Sequence, residues 1–133
     1  VELLVEKGAS IQHKNKNGET PLMYAANGGH LEMVELLVEK GASIEHENKN
    51  GETPLMYAAN GGHLEMVKLL VEKGASIEHV DKEGDTPLMC AIFGGQLETV
   101  ELLVEKGASI QHKNKNGETP LMYAANGGHL EMV

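Results

Sequence analysis

The sequence predicts an all-α solenoid of stacked helix-turn-helix units, and two observations carry this prediction. Residues 1–34 recur letter for letter as residues 100–133, with two variants of the same unit between them, so the pattern repeats every 33 residues. Each unit holds two apolar segments that are too short to be stable as isolated helices. Repeats that cannot bury their own apolar faces stack on their neighbours, and the usual product is an extended surface.

The elements of one unit follow from its residues in order. The Asn-Lys-Asn-Gly cluster at residues 48–51 predicts a turn, and Thr53-Pro54 predicts a helix start because proline is favoured at the first helical position. Residues 55–60 form a short helix, which a Gly-Gly pair ends. Apolar residues at helical spacing predict a second, longer helix over residues 63–73. Residues 75–80 then run extended into the next turn.

The repeat pattern makes the whole chain, residues 1–133, a single array. It contains a partial unit at 1–14 and units that begin near 15, 48, 81 and 114, the last of them truncated. Both termini fall inside predicted second helices, and no polar capping repeat is visible. We therefore expect a segment of a longer array. Since uncapped solenoids expose the apolar side of their terminal units, we also expect the isolated chain to associate with itself head to tail.

Charge and cysteine content limit the classes of partner and compartment. The chain carries 20 acidic residues against 11 lysines, has no arginine and has a formal net charge of −9. This balance disfavours nucleic acid as a partner. No apolar run is long enough to predict membrane insertion. The lone Cys90 has no partner for an internal disulfide, so we expect a cytoplasmic protein, with association with the cytoskeleton or a large assembly as a further expectation.

The motifs of each unit resemble the ankyrin repeat. The resemblance rests on G-x-T-P-L at 51–55, A-A at 58–59, G-H-L at 62–64, V-x-L-L at 67–70 and G-A at 74–75, all within a 33-residue period. Equivalent motifs recur along the entire chain. The resemblance implies antiparallel helix pairs stacked side by side, with β-hairpin-like loops projecting from them. It also implies a protein-binding role without catalysis.

Two departures from the family pattern lead to further expectations. The family usually reads T-P-L-H, and a methionine replaces the histidine at Met23, Met56, Met89 and Met122. We expect these thioethers to pack between first helices. The family's usual asparagine late in the loop is replaced by Gln12, Glu45, Glu78 and Gln111. This second replacement puts the hydrogen bonds between neighbouring loops in doubt and predicts looser loops.

Differences among the copies suggest where partners bind. Residues 67–99 differ from residues 34–66 at ten positions, most of them in the loop and the first helix, which by resemblance form the concave recognition face. Neutral drift at exposed sites is the alternative, because loops vary whatever their function. The candidate partner-binding residues, taken from the variable loop and first-helix positions and from the polar first-helix face, are Glu47, Tyr57, Asn60, Val80, Glu83, Asp85, Cys90, Phe93 and Lys113.

No catalytic, metal or cofactor site is predicted. The serines occupy equivalent positions in every unit, and a site copied along a rod is rarely an active site. Loop histidines recur once per unit, and equivalent side chains of stacked units lie too far apart to share one zinc ion. Two function classes remain. The first is a non-catalytic protein-interaction scaffold, and the alternative is an architectural or mechanical rod of near-identical repeats, with a designed consensus array as a third origin.

Overall fold

Stacked helix pairs build the fold of residues 21–126. The computed structural model describes Leu4 and residues 6–132. The helices are α1 (Pro21–Gly28), α2 (Leu31–Glu39), α3 (Pro54–Gly61), α4 (Leu64–Glu72), α5 (Pro87–Phe93), α6 (Leu97–Glu105) and α7 (Pro120–Asn126), with a 3-10 turn at Leu130–Met132. The described residues contain no β-strand, which confirms the all-α prediction. The predicted helical positions of Val1 and Val133 lie outside the described residues.

The first helix of each unit begins as the sequence predicts. Helices α1, α3, α5 and α7 all start at a proline that follows an extended threonine. In α5 the hydroxyl of Thr86 accepts a hydrogen bond from the backbone N–H of Met89 at 3.3 Å, which satisfies one of the free donors at the helix start. The second helix is only slightly longer than the first, with nine residues in α4 against eight in α3.

Small and apolar side chains let the first helices approach one another. Ala58, Ala59 and Ala91 are buried between neighbouring units, and Leu55 and Leu88 are buried beside them. First helices of adjacent units approach more closely than second helices do. The array therefore curves so that the row of first helices lies on its inner side. None of the described helices combines the length and apolar character needed to cross a membrane.

Three of the four methionines that replace the family's histidine pack as expected. Met23, Met56 and Met89 are almost completely buried between first helices. Met122 occupies the equivalent position in α7 and is half exposed, because the described residues contain no further helix to cover it. The buried thioethers fill the space between units. They do not provide the polar contact between loop and helix that a histidine at this position could make.

Backbone hydrogen bonds join the turns of successive units, and histidine hydrogen bonds hold each loop to the turn of its own unit. The turn at Asn48 closes when its N–H donates to Glu52 O at 2.9 Å, as in a hairpin. Lys82 N donates to Asn50 O at 2.9 Å, and this bond ties the turn of one unit to that of the next. His79 Nε2 donates to Gly51 O at 2.9 Å. Equivalent bonds from His46 to Gly18 and from His112 to Gly84 give these loop histidines a structural role within their own units.

The prediction that Gln and Glu would weaken the bonds between loops is wrong. Gln12 Nε2 donates to Gly41 O of the following unit at 2.9 Å. The Glu45 carboxylate accepts from Ser76 N at 3.1 Å, and the Glu78 carboxylate accepts from Ser109 N at 3.0 Å. The longer side chains reach the neighbouring backbone and supply a bridge of their own. The junctions between the units that begin at 15, 48, 81 and 114 therefore have several hydrogen bonds each besides their apolar contacts.

Candidate functional site

A polar network crosses the inner face, which is formed by the first helices and the turns. It is present at the junctions where the following unit carries a tyrosine on its first helix. Asn48 Nδ2 donates to the Tyr57 hydroxyl at 2.7 Å and to Glu52 Oε1 at 2.8 Å. The Tyr57 hydroxyl in turn donates to Glu19 Oε2 of the preceding unit at 2.8 Å. Burial, together with the bond to Glu19, raises the pKa of Tyr57, while hydrogen bonds from Asn15 and Tyr57 lower the pKa of Glu19. One tyrosine thus fixes the loops of two units.

The same network recurs at the last junction. Asn114 Nδ2 donates to the Tyr123 hydroxyl at 3.0 Å, and Tyr123 donates to Asp85 Oδ1 at 2.7 Å. Asn114 Nδ2 also lies 3.0 Å from Asp85 Oδ1. Burial and the bond to Asp85 raise the pKa of Tyr123. The carboxylate of Asp85 therefore receives two donors from the following unit.

The unit at residues 81–113 lacks this network on its own first helix. Cys90 stands where the other units have tyrosine, and Asp81 stands where they have asparagine. Asp81 Oδ1 still accepts from the backbone N–H groups of Glu83 and Asp85, both at 2.9 Å, so the turn keeps its shape. Glu52 keeps its bond from Asn48 in its own unit but has no phenol donor at position 90. Burial, reinforced by the nearby Asp85 carboxylate, raises the pKa of Asp81.

A groove opens on the inner face where this network is missing. Its volume is about 410 Å³, and its lining residues come from four consecutive units. Apolar and aromatic side chains line part of it and carboxylates line the rest. The lining residues are Asn27, Glu52, Met56, Tyr57, Asn60, Asp81, Glu83, Asp85, Met89, Cys90, Phe93 and Tyr123.

The geometry of α5 explains why two of these side chains enter the groove. Leu88, Ala91 and Ile92 are buried in the core, whereas Cys90 is half-buried and Phe93 is exposed. Cys90 and Phe93 are three residues apart, so they share a face of the helix. Ile92, at one of the ten variant positions, packs into the core and away from the groove.

Six of the predicted partner-binding residues come together around this groove. They are Tyr57, Asn60, Glu83, Asp85, Cys90 and Phe93. The groove also contains Glu52, Asp81, Met56, Met89, Tyr123 and Asn27, which the sequence analysis did not propose as contacts. Asp81 was detectable, since it is one of the ten variant positions. Glu52 and Tyr123 are the residues that most units have at these two positions, so a comparison of the copies gives no reason to single them out.

The other three predicted contacts lie outside the groove. Glu47 is an exposed loop residue whose Oε2 lies 3.4 Å from His79 Nε2. Val80 and Lys113 are exposed in the loops that precede their turns. The structure does not join these three residues to the cavity, and their role in binding stays a prediction.

The chemistry of the groove favours binding over reaction. Burial, together with the carboxylates of Asp81, Asp85 and Glu52, raises the pKa of the Cys90 thiol, so the thiol is protonated at neutral pH. Within the described part of the chain, no three His, Cys, Asp or Glu residues are placed so that they could hold a metal ion. The groove offers apolar surface and negative charge side by side.

Comparison with protein families agrees with the helix pairs, the joined turns and the 33-residue period. The family model described as "Ankyrin repeats (3 copies)" matches residues 1–81, 41–114 and 78–133, and these matches together span the chain. A search of the curated proteins gave no match. The chain therefore belongs to the ankyrin-repeat family.

Proposed function

We propose that this ankyrin array is a non-catalytic scaffold for protein–protein interaction that binds its partners through turns and first helices. The observation that carries the proposal is the groove beside Phe93. This side chain is 79% exposed on a row where the two preceding units place Asn27 and Asn60. An exposed aromatic side chain next to a concave cavity is typical of a protein-binding surface.

The groove also supports a role without catalysis. A reactive cysteine needs a nearby base or cation that favours the thiolate. Cys90 instead has the carboxylates of Asp81 and Asp85 nearby, which disfavour the thiolate. The lining residues include no histidine or lysine. We accordingly propose binding as the whole activity of this site, in a cytoplasmic protein with a single free thiol.

Replacing Phe93 with alanine is expected to weaken partner binding about tenfold, because truncating a central aromatic residue of an interface costs about 1–2 kcal/mol. The measurement is quantitative recovery of bound proteins on immobilised wild-type chain and on Phe93→Ala. Since Phe93 is mostly exposed, the thermal unfolding curve of this variant should match that of the wild type.

Glu101→Ala is the control for this experiment. Glu101 is exposed on α6, in the outer row of helices, and its removal should leave recovery unchanged. Equal recovery on wild-type and Phe93→Ala chains would argue against the proposed binding face. Loss of recovery on Glu101→Ala alone would place the interface on the outer row.

An architectural rod is a second candidate function, favoured by the hydrogen bonds that repeat at each described junction. Such a rod would extend by contact between end units. Leu121 of α7 is 56% exposed and Leu130 is 84% exposed, whereas Leu55 and Leu88, the equivalents of Leu121 in the interior units, are buried. We propose that these apolar surfaces support head-to-tail association of the 133-residue chain.

Sedimentation velocity tests the association. The weight-average sedimentation coefficient of the 133-residue chain should rise with concentration, and Leu121→Glu should reduce the increase because it places a charge on the contact surface. A sedimentation coefficient that stays constant with concentration would argue against head-to-tail association. Glu101→Ala, on the outer row, again serves as the control.

A further inference from the structure

We propose that the groove around Cys90 receives a lysine or arginine side chain of the partner protein, whose aliphatic stem lies on the apolar floor and whose cation lies among the carboxylates. This inference rests on the proposed binding function and adds the chemistry of the contact. It goes beyond the general use of the inner face, because it concerns one junction and one class of side chain.

The space for this side chain comes from a substitution within the repeat pattern. In the flanking units, Tyr57 and Tyr123 reach across the junction and donate to a carboxylate of the preceding unit, at 2.8 and 2.7 Å. The same position in the middle unit is Cys90, whose thiol is far shorter than a phenol. Among the three described junctions between first helices, the middle one therefore lacks the bridging side chain, and the groove of about 410 Å³ lies there.

The hydrogen-bonding state of Glu52 indicates what the groove lacks. Glu19 and Asp85 each accept a hydrogen bond from the tyrosine of the following unit. Glu52 is the equivalent carboxylate at the middle junction, and its protein donor among the described residues is Asn48 of its own unit, through Oε1. The second oxygen, which in Glu19 accepts from the phenol, is free to accept a donor from a partner.

The charge of the lining selects a cation as that donor. Glu52, Asp81, Glu83 and Asp85 contribute four carboxylates, and no lysine lines the groove. An acidic partner segment would be repelled, whereas an ammonium or guanidinium group would form charge-assisted hydrogen bonds. A metal ion fits poorly, because these carboxylates do not form a group that could hold one.

The apolar part of the lining distinguishes a side chain from a small cation. Met56, Met89 and Phe93 line the same groove as the carboxylates. Lysine and arginine bury their methylene groups on apolar surface while the charged end makes polar contacts. Phe93 is exposed enough to pack against such a stem or to lie under its cation. The combination of methionine, phenylalanine and carboxylates therefore matches a long basic side chain.

Selection from a random dodecapeptide library displayed on phage tests this inference. The intact chain is the bait, and the best selected peptide is then measured by fluorescence anisotropy. We expect a fixed lysine or arginine in the selected peptides. Cys90→Tyr, which restores the residue of the flanking units, and Glu52→Gln, which keeps the shape of the side chain, should each weaken binding about tenfold, as for a lost hydrogen bond to a charged group.

Glu101→Gln is the matched control, because it makes the same change as Glu52→Gln at an exposed carboxylate on α6, outside the groove, and should bind the peptide as the wild type does. Replacing the fixed basic residue of the peptide with citrulline or norleucine should also weaken binding about tenfold. Raising the salt concentration from roughly 0.05 to 0.5 M should also weaken the binding of the original basic peptide to the wild-type chain, since the contact is ionic and partly exposed. Unchanged melting temperatures would establish that the variants are folded.

The outcomes separate this inference from the proposed function. Selected peptides without a fixed basic residue that nevertheless lose binding to Phe93→Ala would overturn the inference and leave the inner face as the binding surface. Peptides that bind Phe93→Ala, Cys90→Tyr and wild type equally well would overturn both. Full binding to Cys90→Tyr by a peptide with a fixed basic residue would place that residue outside the groove and would also overturn the inference.

Discussion

Replacing Leu70 with alanine is expected to lower the free energy of unfolding by about 2–5 kcal/mol, as for other fully buried leucines that leave a cavity. Leu70 lies in α4 and is completely inaccessible to solvent. It belongs to the single core cluster that runs through the units, so its truncation leaves a cavity in that core. Urea unfolding followed by circular dichroism measures the loss.

Leu4→Ala is the matched control for this prediction. Leu4 occupies the position equivalent to Leu70 in the repeat but is 63% exposed. Its truncation should change the free energy of unfolding by less than about 0.5 kcal/mol, as for most surface substitutions. Similar losses of unfolding free energy for the two variants would contradict the stacked structure. In that structure, the leucine at this position is buried in one unit and exposed in another only because of its place in the stack.

Replacing Gly51 with alanine is expected to cost about 2–3 kcal/mol of unfolding free energy. Gly51 has a φ of +78°, a left-handed conformation that costs other residues about 1–2 kcal/mol. A Cβ atom at this position would also lie 3.0 Å from the backbone nitrogen of Lys82, so the turns of two units would have to separate. The bond from Lys82 N to Asn50 O would be strained as a result.

Gly117→Ala isolates the contribution of the contact between turns. Gly117 has the same φ of +78°, but a Cβ atom there meets nothing within 4 Å. Gly117→Ala should therefore lower the free energy of unfolding by only the cost of the left-handed backbone conformation, about 1–2 kcal/mol. The comparison uses equilibrium urea unfolding of both variants. Equal losses for Gly51→Ala and Gly117→Ala would mean that the close approach of successive turns does not contribute to stability.

Local signals in the sequence predicted most of the fold. Thr53-Pro54 fixes a helix start by its own chemistry, and the apolar spacing of the second helix follows from the helical period. The burial of Met56 and Met89 was predictable for the same reason, since both lie on the apolar side of a first helix. These features depend on a few adjacent residues, which recur in each unit and reinforce one another.

The contacts between units were harder to predict. Replacement of the family's asparagine was expected to put the hydrogen bonds between loops in doubt, but the longer side chains of Glu45 and Glu78 reach the backbone of the next unit. The groove depends on a difference between neighbours: Cys90 leaves the space, whereas Glu52 and Tyr123 of the adjacent units become part of its lining. A comparison that looks for unusual residues finds Cys90 and misses the ordinary residues around it.

The proposed binding function places partners on the inner face at the unit of residues 81–113. Photocrosslinking tests it most directly, with p-benzoylphenylalanine placed at Phe93 in one variant and at Glu101 in another. Both positions are exposed, one on the inner row and one on the outer row. Crosslinks to the recovered partner from the position of Phe93, and none from that of Glu101, are the predicted result. Crosslinks from the position of Glu101 alone would mean that partners bind the outer row of helices instead.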